Sequence, residues 1–338
     1  MIMNTEINEK NTKKDKVNPF SLFFTVMKDG FSRFHHGEFA TGVRKHWMLY
    51  LLALPAFVLI LIFCYAPMFG LLIAFQDYSL TEGVFGSEFV GGKYFVKLFS
   101  QSATWLVLRN TIYISMIRIA TNFPIILFYT LLFNELRSKR FKTAMSTISY
   151  LPFFISWIAV GGMCYNLFDR DGGLLNEILK LFGREPIAWY NEPGYWWMIL
   201  AISSLWKGMG WATLVYVSAF AGIDTELYDA CEIDGGGRFR KMTTVTLPGI
   251  MSVIMLQLIL DISSIMGDNY EQIIAMINGS QMLVETTQVI GMMSYDALNK
   301  GSGYSTATVL GLLQGVVGTI LVVVTNHVVK KTDNEGVL

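Results

Sequence analysis

The stretch Asp229-Ala-Cys-Glu-Ile-Asp-Gly-Gly-Gly-Arg-Phe-Arg-Lys-Met-Thr-Thr-Val-Thr-Leu-Pro248 is a polar island between two long apolar runs. Residues 229–233 predict a short helix with acid near its N-terminus, where the helix dipole favours negative charge. The run Gly235–Gly237 predicts the end of that helix, because glycine takes positive φ freely. Pro248 suits the first turn of the next helix. A simple turn needs only a few polar residues, so the island predicts a rigid surface that a partner can grip.

The amino-acid composition places the chain in a membrane. Apolar residues make up 53% of the 338 residues and charged residues 15%, whereas soluble domains carry about 25% charged residues. The net charge of zero gives no field that favours nucleic acid, so none is expected as a partner. The three cysteines have neither disulfide nor metal-ligand spacing, and no metal site is predicted.

Six apolar segments are long enough to span a bilayer, which takes about 20 residues per helix. We therefore predict an all-α integral membrane protein with six transmembrane helices in a domain over 47–330. The predicted spans are 47–75, 110–133, 144–168, 196–223, 248–266 and 304–329. Residues 1–46 are expected to form a tail that is partly disordered or lies on the membrane surface, and 331–338 a short C-terminal tail.

Basic residues near the ends of the predicted spans set the orientation. The tails and loops on one side carry thirteen Lys and Arg residues, and the loops on the opposite side carry seven. Both termini are therefore predicted to be cytoplasmic in a bacterial plasma membrane. The island 229–248 falls on the same side and is predicted to face the cytoplasm.

Three ionisable residues, Arg118, Lys207 and Asp261, fall inside predicted spans, where each costs roughly 2.5–3.5 kcal/mol on insertion scales. Such residues usually face a bundle interior or a water-filled cavity. We expect Asp261 to pair with Lys207 or Arg118 beside a translocation cavity. A purely structural ion pair is the alternative.

Other polar and aromatic side chains in the spans suit a sugar, since aromatic faces stack on sugar C–H surfaces and amides bind sugar hydroxyls. The candidate substrate-path residues are Asn122, Lys207, Trp211, Tyr216, Gln257, Asp261 and Asn269. For each of them, helix–helix packing with polar contacts is the alternative. An aromatic cluster at 189–197 is expected to form an interfacial belt, with a sugar-facing role left open for one member.

No catalytic pattern is present in the sequence. It has no phosphate-binding P-loop, no nucleophile elbow and no metal-binding pair of histidines. We therefore predict no catalytic residue and no cofactor bound by this chain. A membrane-embedded enzyme would need a convergent catalytic set.

The island resembles the cytoplasmic signature loop of permease subunits in binding-protein-dependent ABC importers. That family pattern is Glu-Ala-Ala, two residues, Asp-Gly-Ala and, after a spacer, Ile-x-Leu-Pro. Here Asp229 replaces the first Glu, Cys231 the second Ala and Gly236 the last Ala. The resemblance implies that the helix docks in a groove of an ATP-hydrolysing subunit. The residues it assigns to ATPase coupling are Asp229, Ala230, Cys231, Asp234, Gly235, Leu247 and Pro248.

Further segments carry the same resemblance from Trp47 onward. Leu54-Pro55, Tyr65-x-Pro67-Met68 and Tyr270-Glu271-Gln272-Ile273 are similar to permeases of the maltose-importer class, most of all to the polysaccharide and complex-oligosaccharide subfamily. The resemblance implies the six-helix type I importer fold with a cytoplasmic coupling helix. Besides contact with membrane lipid, it implies three protein partners: a second homologous permease, a homodimeric ATPase holding ATP and Mg²⁺, and an extracellular sugar-binding lipoprotein or periplasmic protein.

An ion-driven secondary transporter of a small polar solute is the alternative function. That class predicts internal repeats and unwound half-helices, and the sequence shows no convincing repeat. It would also leave the acidic island at 229–248 without a role.

Overall fold

The structure, a computed structural model, describes residues 45–267, 270–299 and 303–331. Chain contacts divide these residues into two compact units, one that ends at Phe69 and one that begins at Gly70. Of the predicted N-terminal tail, only residues 45 and 46 are among the described residues. Of the predicted C-terminal tail, only residue 331 is.

In the first unit, helix α1 spans Trp47–Ile60 and continues as a π-helical turn over Leu61–Tyr65. A 3-10 segment follows over Ala66–Phe75. The whole stretch of 29 residues contains no charged side chain. Its bounds coincide with those of the first predicted span. The run is uncharged throughout, so the polar residues on either side of it mark where the apolar segment begins and ends.

The second unit begins at Gly70, inside this 3-10 segment, and continues with a short ribbon. Two antiparallel strands of two residues each, β1 (Gln76–Asp77) and β2 (Glu88–Phe89), flank the short helix α2 (Gly83–Gly86). Helix α3 (Lys93–Phe99) follows. Within the described part of the chain, this ribbon is the exception to an otherwise helical fold.

Helix α4 (Ser102–Asn134) has 33 residues and begins eight residues before the second predicted span. Helix α5 (Lys139–Tyr150) passes through a 3-10 turn, Leu151–Phe154, into helix α6 (Trp157–Phe168), with a bend of 99°. Ser156 causes the bend: its backbone is extended, and its Oγ accepts a hydrogen bond from the Ala159 amide as the cap of α6. The third predicted span, 144–168, therefore consists of two helices.

The chain continues through further helices separated by short breaks. These are α7 (Leu174–Leu181), α8 (Trp196–Phe220), α9 (Thr225–Ile233), α10 (Arg238–Lys241), α11 (Leu247–Gly249) and α12 (Met251–Ser263). A π-helical turn over Met242–Thr246 joins α10 to α11. A second bend, of 62°, lies between Arg238–Gly249 and Met251–Met266, where Ile250 leaves helical geometry.

Four helices complete the fold: α13 (Tyr270–Ile277), α14 (Val284–Thr287), α15 (Ile290–Asn299) and α16 (Tyr304–Lys331). Four helical stretches of the described chain are long and apolar enough to cross a membrane: Trp47–Phe75, Ser102–Asn134, Pro193–Phe220 and Tyr304–Lys331. If each bent pair counts as one span, the number rises to six. The protein is thus an all-helical membrane protein with four to six candidate spans, apart from the short ribbon.

The main core lies where α6, α8 and α13 meet. Val160, Trp196, Leu200, Ile273 and Met276 are fully buried there. The backbones of α6 and α13 approach closely because Gly161 has no side chain, and a Cβ at that position would overlap the Ala275 carbonyl group. Small residues at helix contacts are typical of membrane bundles, whose association depends on close packing.

The close approach of α6 to α13 generates a stability prediction. We expect Gly161→Ala to destabilise the folded protein by about 1–3 kcal/mol, because the added methyl group meets backbone atoms that can only move with their helix. The neighbouring Gly162 has open space around it, so Gly162→Ala should be neutral or slightly stabilising. Thermal unfolding of the purified variants in detergent measures the difference. Equal melting temperatures for the two variants would contradict the proposed packing.

Candidate coupling helix and transmembrane cavity

Helix α9 begins four residues earlier than the predicted acidic helix. Asp224 is its N-cap, and the Asp224 Oδ1 accepts a hydrogen bond of 3.0 Å from the Glu226 amide. The acids near the N-terminus are therefore Asp224 and Glu226, which complement the positive end of the helix dipole. Asp229, expected near the N-terminus, lies in the middle of the helix, because the prediction left residues 224–228, between the fourth span and the island, without an assignment.

Glycines end α9 as the sequence predicted. The Gly235 amide donates to the Glu232 carbonyl at 2.9 Å, and the Gly236 amide donates to the Cys231 carbonyl at 2.8 Å. Gly235 has a φ of 74°, which favours glycine, and the two bonds form a Schellman motif. At Gly236 a Cβ would collide with the Cys231 carbonyl and sulfur. The end of the helix is consequently fixed by backbone geometry.

Side chains hold α9 against the segment that follows it. Lys241 forms an ion pair with Glu232, and the hydroxyls of Tyr228 and Thr246 lie 3.0 Å apart. The hydrogen bond from Lys241 and, next, its positive charge lower the pKa of Glu232. The helix is therefore tied to the next helical segment at two points, near its middle and near its C-terminal end, and forms a firm projection.

The outer face of this projection is exposed. Asp229, Ala230, Asp234 and Gly235 are exposed, and Cys231 is half-buried. Ile233 is 87% exposed and adds an apolar side chain to this surface. The two remaining residues of the predicted coupling set differ, since Pro248 is exposed but Leu247 packs inward against the cluster of Tyr216, Ile250 and Ile254.

A cavity of about 270 Å³ lies between α4, α8 and α12. Five of the sequence-predicted residues line it: Arg118, Asn122, Tyr216, Gln257 and Asp261. Polar contacts join the three helices around the cavity. The Asn122 amide donates to the Ser204 hydroxyl at 2.8 Å, and the Gln257 amide donates to the Asp261 carboxylate at 3.2 Å. The Arg118 guanidinium lies 3.3 Å from the Ser264 hydroxyl.

Lys207 and Trp211 share a face of α8, as their spacing predicts, but they contact Phe153 and do not line this cavity. The Lys207 ammonium donates to the Phe153 carbonyl at 2.7 Å and lies 5.3 Å from the centres of the Phe153 and Trp157 rings. The Trp211 ring stacks on Phe153 at 4.6 Å. Because the carbonyl and the rings stabilise the ammonium, Lys207 is not the partner of Asp261 in this structure.

Of the two partners considered for Asp261, Arg118 is therefore the one that shares its cavity. The two side chains line the same space from α4 and α12. A charged group inside a membrane bundle is expected to face such a space. The remaining predicted path residue, Asn269, lies outside the described residues.

One wall of the cavity was singled out from the sequence only at Tyr216. Ser204, Gly208, Ala212 and Tyr216 follow one another at intervals of four on α8, and all line the cavity. Residues four apart share one helix face, and three of these are small, so the side chains leave room beside the helix. A period-four run of small residues inside an apolar segment is the signal that would have identified this wall.

The spans, the exposed capped helix and the polar cavity together define the membrane-embedded subunit of a transporter. The family model described as "Binding-protein-dependent transport system inner membrane component" matches residues 122–334. The chain belongs to this family, which is a transport component and not an enzyme. It is a permease of a binding-protein-dependent ABC importer, as the sequence predicted, and the ion-driven alternative is set aside.

Two relatives of Bacillus subtilis (strain 168) match most of the chain. The polygalacturonan/rhamnogalacturonan transport system permease protein YteP is 36% identical over 86% of this chain and 89% of its own length. Protein LplB is 36% identical over 87% of this chain and 91% of its own length. The predicted resemblance to polysaccharide permeases is confirmed by these relatives.

Two solved structures share the fold. The first is a bacterial ABC transporter involved in the import of the acidic polysaccharide alginate, with 29% identity, a TM-score of 0.78 and coverage of 87% of this chain and 99% of that chain. The second is the bacterial alginate ABC transporter in complex with an alginate pentasaccharide-bound periplasmic protein, with 30% identity, a TM-score of 0.79 and coverage of 88% and 99%. The predicted permease fold is confirmed.

The Glu232–Lys241 ion pair generates a pH prediction. Because the pKa of Glu232 is lowered below its ordinary value of 4.5, the pair stabilises α9 above that value, and the stabilisation is lost as the pH falls through the lowered pKa. We expect Lys241→Gln to raise the Glu232 pKa towards 4.5. Carbon NMR of labelled Glu232 against pH measures this. Arg240→Gln is the matched control and should leave the titration in place; an unchanged titration in Lys241→Gln would contradict the pairing.

Proposed function

We propose that this chain is one of two homologous permease subunits of an ATP-driven importer, and that it forms half of the translocation pathway for an oligosaccharide. An extracellular binding protein, a lipoprotein or a periplasmic protein, delivers the oligosaccharide. A homodimeric ATPase, which holds ATP and Mg²⁺, drives the transport. Family membership supports the class of the protein, and the exposed, capped helix α9 is the single observation that carries the coupling role.

The proposed orientation follows from the loop charges. Both termini and the 229–248 segment are placed in the cytoplasm, since the loops on that side hold more Lys and Arg. Residues 47–330 form the transmembrane domain, and 1–46 and 331–338 are cytoplasmic tails. This orientation puts α9 on the side of the membrane where ATP is available.

The coupling role of α9 rests on its stiffness and its exposed surface. A projection with a side-chain cap at one end and a Schellman motif at the other can transmit a rigid-body movement, whereas a flexible loop cannot. Exposed acids on its outer face, Asp229 and Asp234, suit a basic groove in the partner. The nearly fully exposed Ile233 offers an apolar anchor for the same groove.

The proposed substrate is an oligosaccharide with acidic units. YteP is named for polygalacturonan and rhamnogalacturonan, and the structural neighbours for alginate, which are acidic polysaccharides. In this chain the cavity offers the Arg118 guanidinium for a carboxylate and the Asn122 and Gln257 amides for hydroxyls. Lys207 and Trp211 form a neighbouring surface on α8 that we also assign to the path.

Uptake by whole cells tests the coupling role. We expect Asp229→Arg to abolish capture of the ATPase and to lower uptake of a labelled oligogalacturonate at least roughly tenfold, because a reversed charge in a docking surface costs several kcal/mol. Insertion into the membrane should be unchanged. Glu185→Arg, an exposed acid in a loop on the opposite side, is the matched control. Normal uptake by Asp229→Arg, or transport by the purified chain alone, would contradict the proposal.

The cavity has a separate test. We expect Asn122→Leu to lower the rate of oligosaccharide uptake about tenfold, because it removes an amide that faces the cavity and leaves Ser204 without its donor. Asn134→Leu, the same change at the end of α4 outside the cavity, is the control. ATPase capture should persist in both variants. If the two variants transport equally well, the cavity is not the path.

A further inference from the structure

A second cavity, of about 290 Å³, lies in the loops beyond the C-terminal end of α6. It shares no lining residue with the cavity between α4, α8 and α12. Aromatic, amide and charged groups line it. Six of them carry the argument: Tyr165, Asp169, Arg170, Trp189, Tyr190 and Asn278. In the proposed orientation this cavity opens on the extracellular side.

The frame of this cavity is rigid. Asn176 of α7 is fully buried, and its amide nitrogen lies 2.9–3.2 Å from the carbonyl oxygens of Asp169, Arg170 and Ile187. Its amide oxygen accepts hydrogen bonds of 3.0 Å from the Ile187 amide and the Trp189 indole. One side chain thus holds the loop after α6 and the loop before α8 together. Because the loops are already held in place, binding a ligand would cost less conformational entropy than ordering flexible loops would.

Tyr190 is a lining residue whose hydroxyl can still donate. The hydroxyl is buried and has no hydrogen-bond partner among the described residues, although the Tyr190 backbone carbonyl accepts a bond of 2.8 Å from Ser280. A buried hydroxyl without a partner is unfavourable, so such groups are uncommon unless a ligand or water completes them. Burial raises the pKa of Tyr190, which keeps the hydroxyl neutral and able to donate.

Asn278 also lines the cavity. It has a φ of 48°, and it is the one residue other than glycine with positive φ in the described part of the chain. Asparagine adopts this left-handed conformation at helix ends, and here it turns the chain towards the cavity. Asn278 lies at the end of α13 and places its amide at the cavity wall. This observation is independent of the Tyr190 hydroxyl.

We propose that this cavity is an entry site for a uronate unit of the oligosaccharide, which it would bind before the sugar reaches the transmembrane cavity. The proposal rests on the proposed function and names a second site for its substrate. The Tyr165 ring, 44% exposed, offers a face for the sugar ring. The exposed Arg170 guanidinium forms no ion pair among the described residues, and it suits a carboxylate. Sugar hydroxyls satisfy Tyr190, Asn278 and Asp169.

A phospholipid headgroup is the competing ligand, because an apolar groove of about 550 Å³ shares Phe168 and Trp189 with this cavity. Asp169 decides against it. The Asp169 carboxylate accepts hydrogen bonds from sugar hydroxyls, whereas a phosphodiester group has no hydrogen-bond donor to offer it. The amide of Asn278 and the hydroxyl of Tyr190 also suit a ligand with several hydroxyl groups better than a single phosphodiester.

Saturation-transfer NMR on the assembled importer in nanodiscs, without its binding protein, tests the entry site with trigalacturonate as the probe. We expect Arg170→Gln to weaken binding roughly tenfold and Tyr190→Phe about fivefold, because each removes one hydrogen bond, the first of them charge-assisted. Arg184→Gln, an exposed arginine of the same loop region outside the cavity, is the matched control and should bind as the unaltered importer does. The neutral probe maltotriose should not respond to Arg170→Gln.

Three results would overturn the entry site: equal binding by Arg170→Gln and Arg184→Gln, no binding by an importer that still takes up trigalacturonate with its binding protein, or a bound phospholipid that trigalacturonate does not displace. The second result would leave the proposed function intact. Failure of the complete importer to take up any oligosaccharide would instead contradict the proposed function.

Discussion

The bilayer requires every backbone amide and carbonyl to find a partner inside the protein, because no water is available in the hydrocarbon region. The two bends between the helices of candidate spans use local bonds to meet that requirement. At the first bend the Ser156 hydroxyl caps α6. At the second bend the Ile250 amide still donates to the Thr246 carbonyl at 3.2 Å, and the Ile254 amide donates to the Ile250 carbonyl at 3.0 Å. The chain can therefore change direction at these two points and keep these backbone groups paired.

The same requirement governs the charged side chains in the spans. Lys207 is stabilised by a carbonyl and two rings, all from the bend between α5 and α6. Asp261 accepts from Gln257, one turn earlier on the same helix, and shares a cavity with Arg118. A lysine and an aspartate that the sequence treats as possible partners thus serve two different surfaces. One surface faces the bend, and the other faces the polar space between α4, α8 and α12.

How far the sequence predicts this molecule depends on the range of the interaction. The uncharged run 47–75 and the glycine stop at Gly235 are local patterns, and both were predicted. The bend at Ser156 was not, because a serine inside an apolar run gives no signal of an extended backbone. The partner of Lys207 was missed for another reason. It is a backbone carbonyl 54 residues away in sequence, and since every residue has such a carbonyl, the sequence does not mark this one. The entry cavity depends on Asn176, whose contacts with two loops only a folded chain can reveal.

Helix α9 and the cavity are connected by a short chain of contacts, which gives the proposed coupling a physical route. Tyr228 of α9 meets Thr246, the residue before α11. Leu247 and Ile250 follow and pack with Tyr216, which is buried in that cluster and lines the cavity. Helix α12 continues directly from this point and carries Gln257 and Asp261 on the opposite wall. Because both walls contact this cluster, a rigid displacement of α9 would reach the cavity through it. A flexible joint at the bend would absorb that displacement, and the backbone hydrogen bonds that Ile250 keeps with Thr246 and Ile254 on the two sides of the bend oppose such a joint.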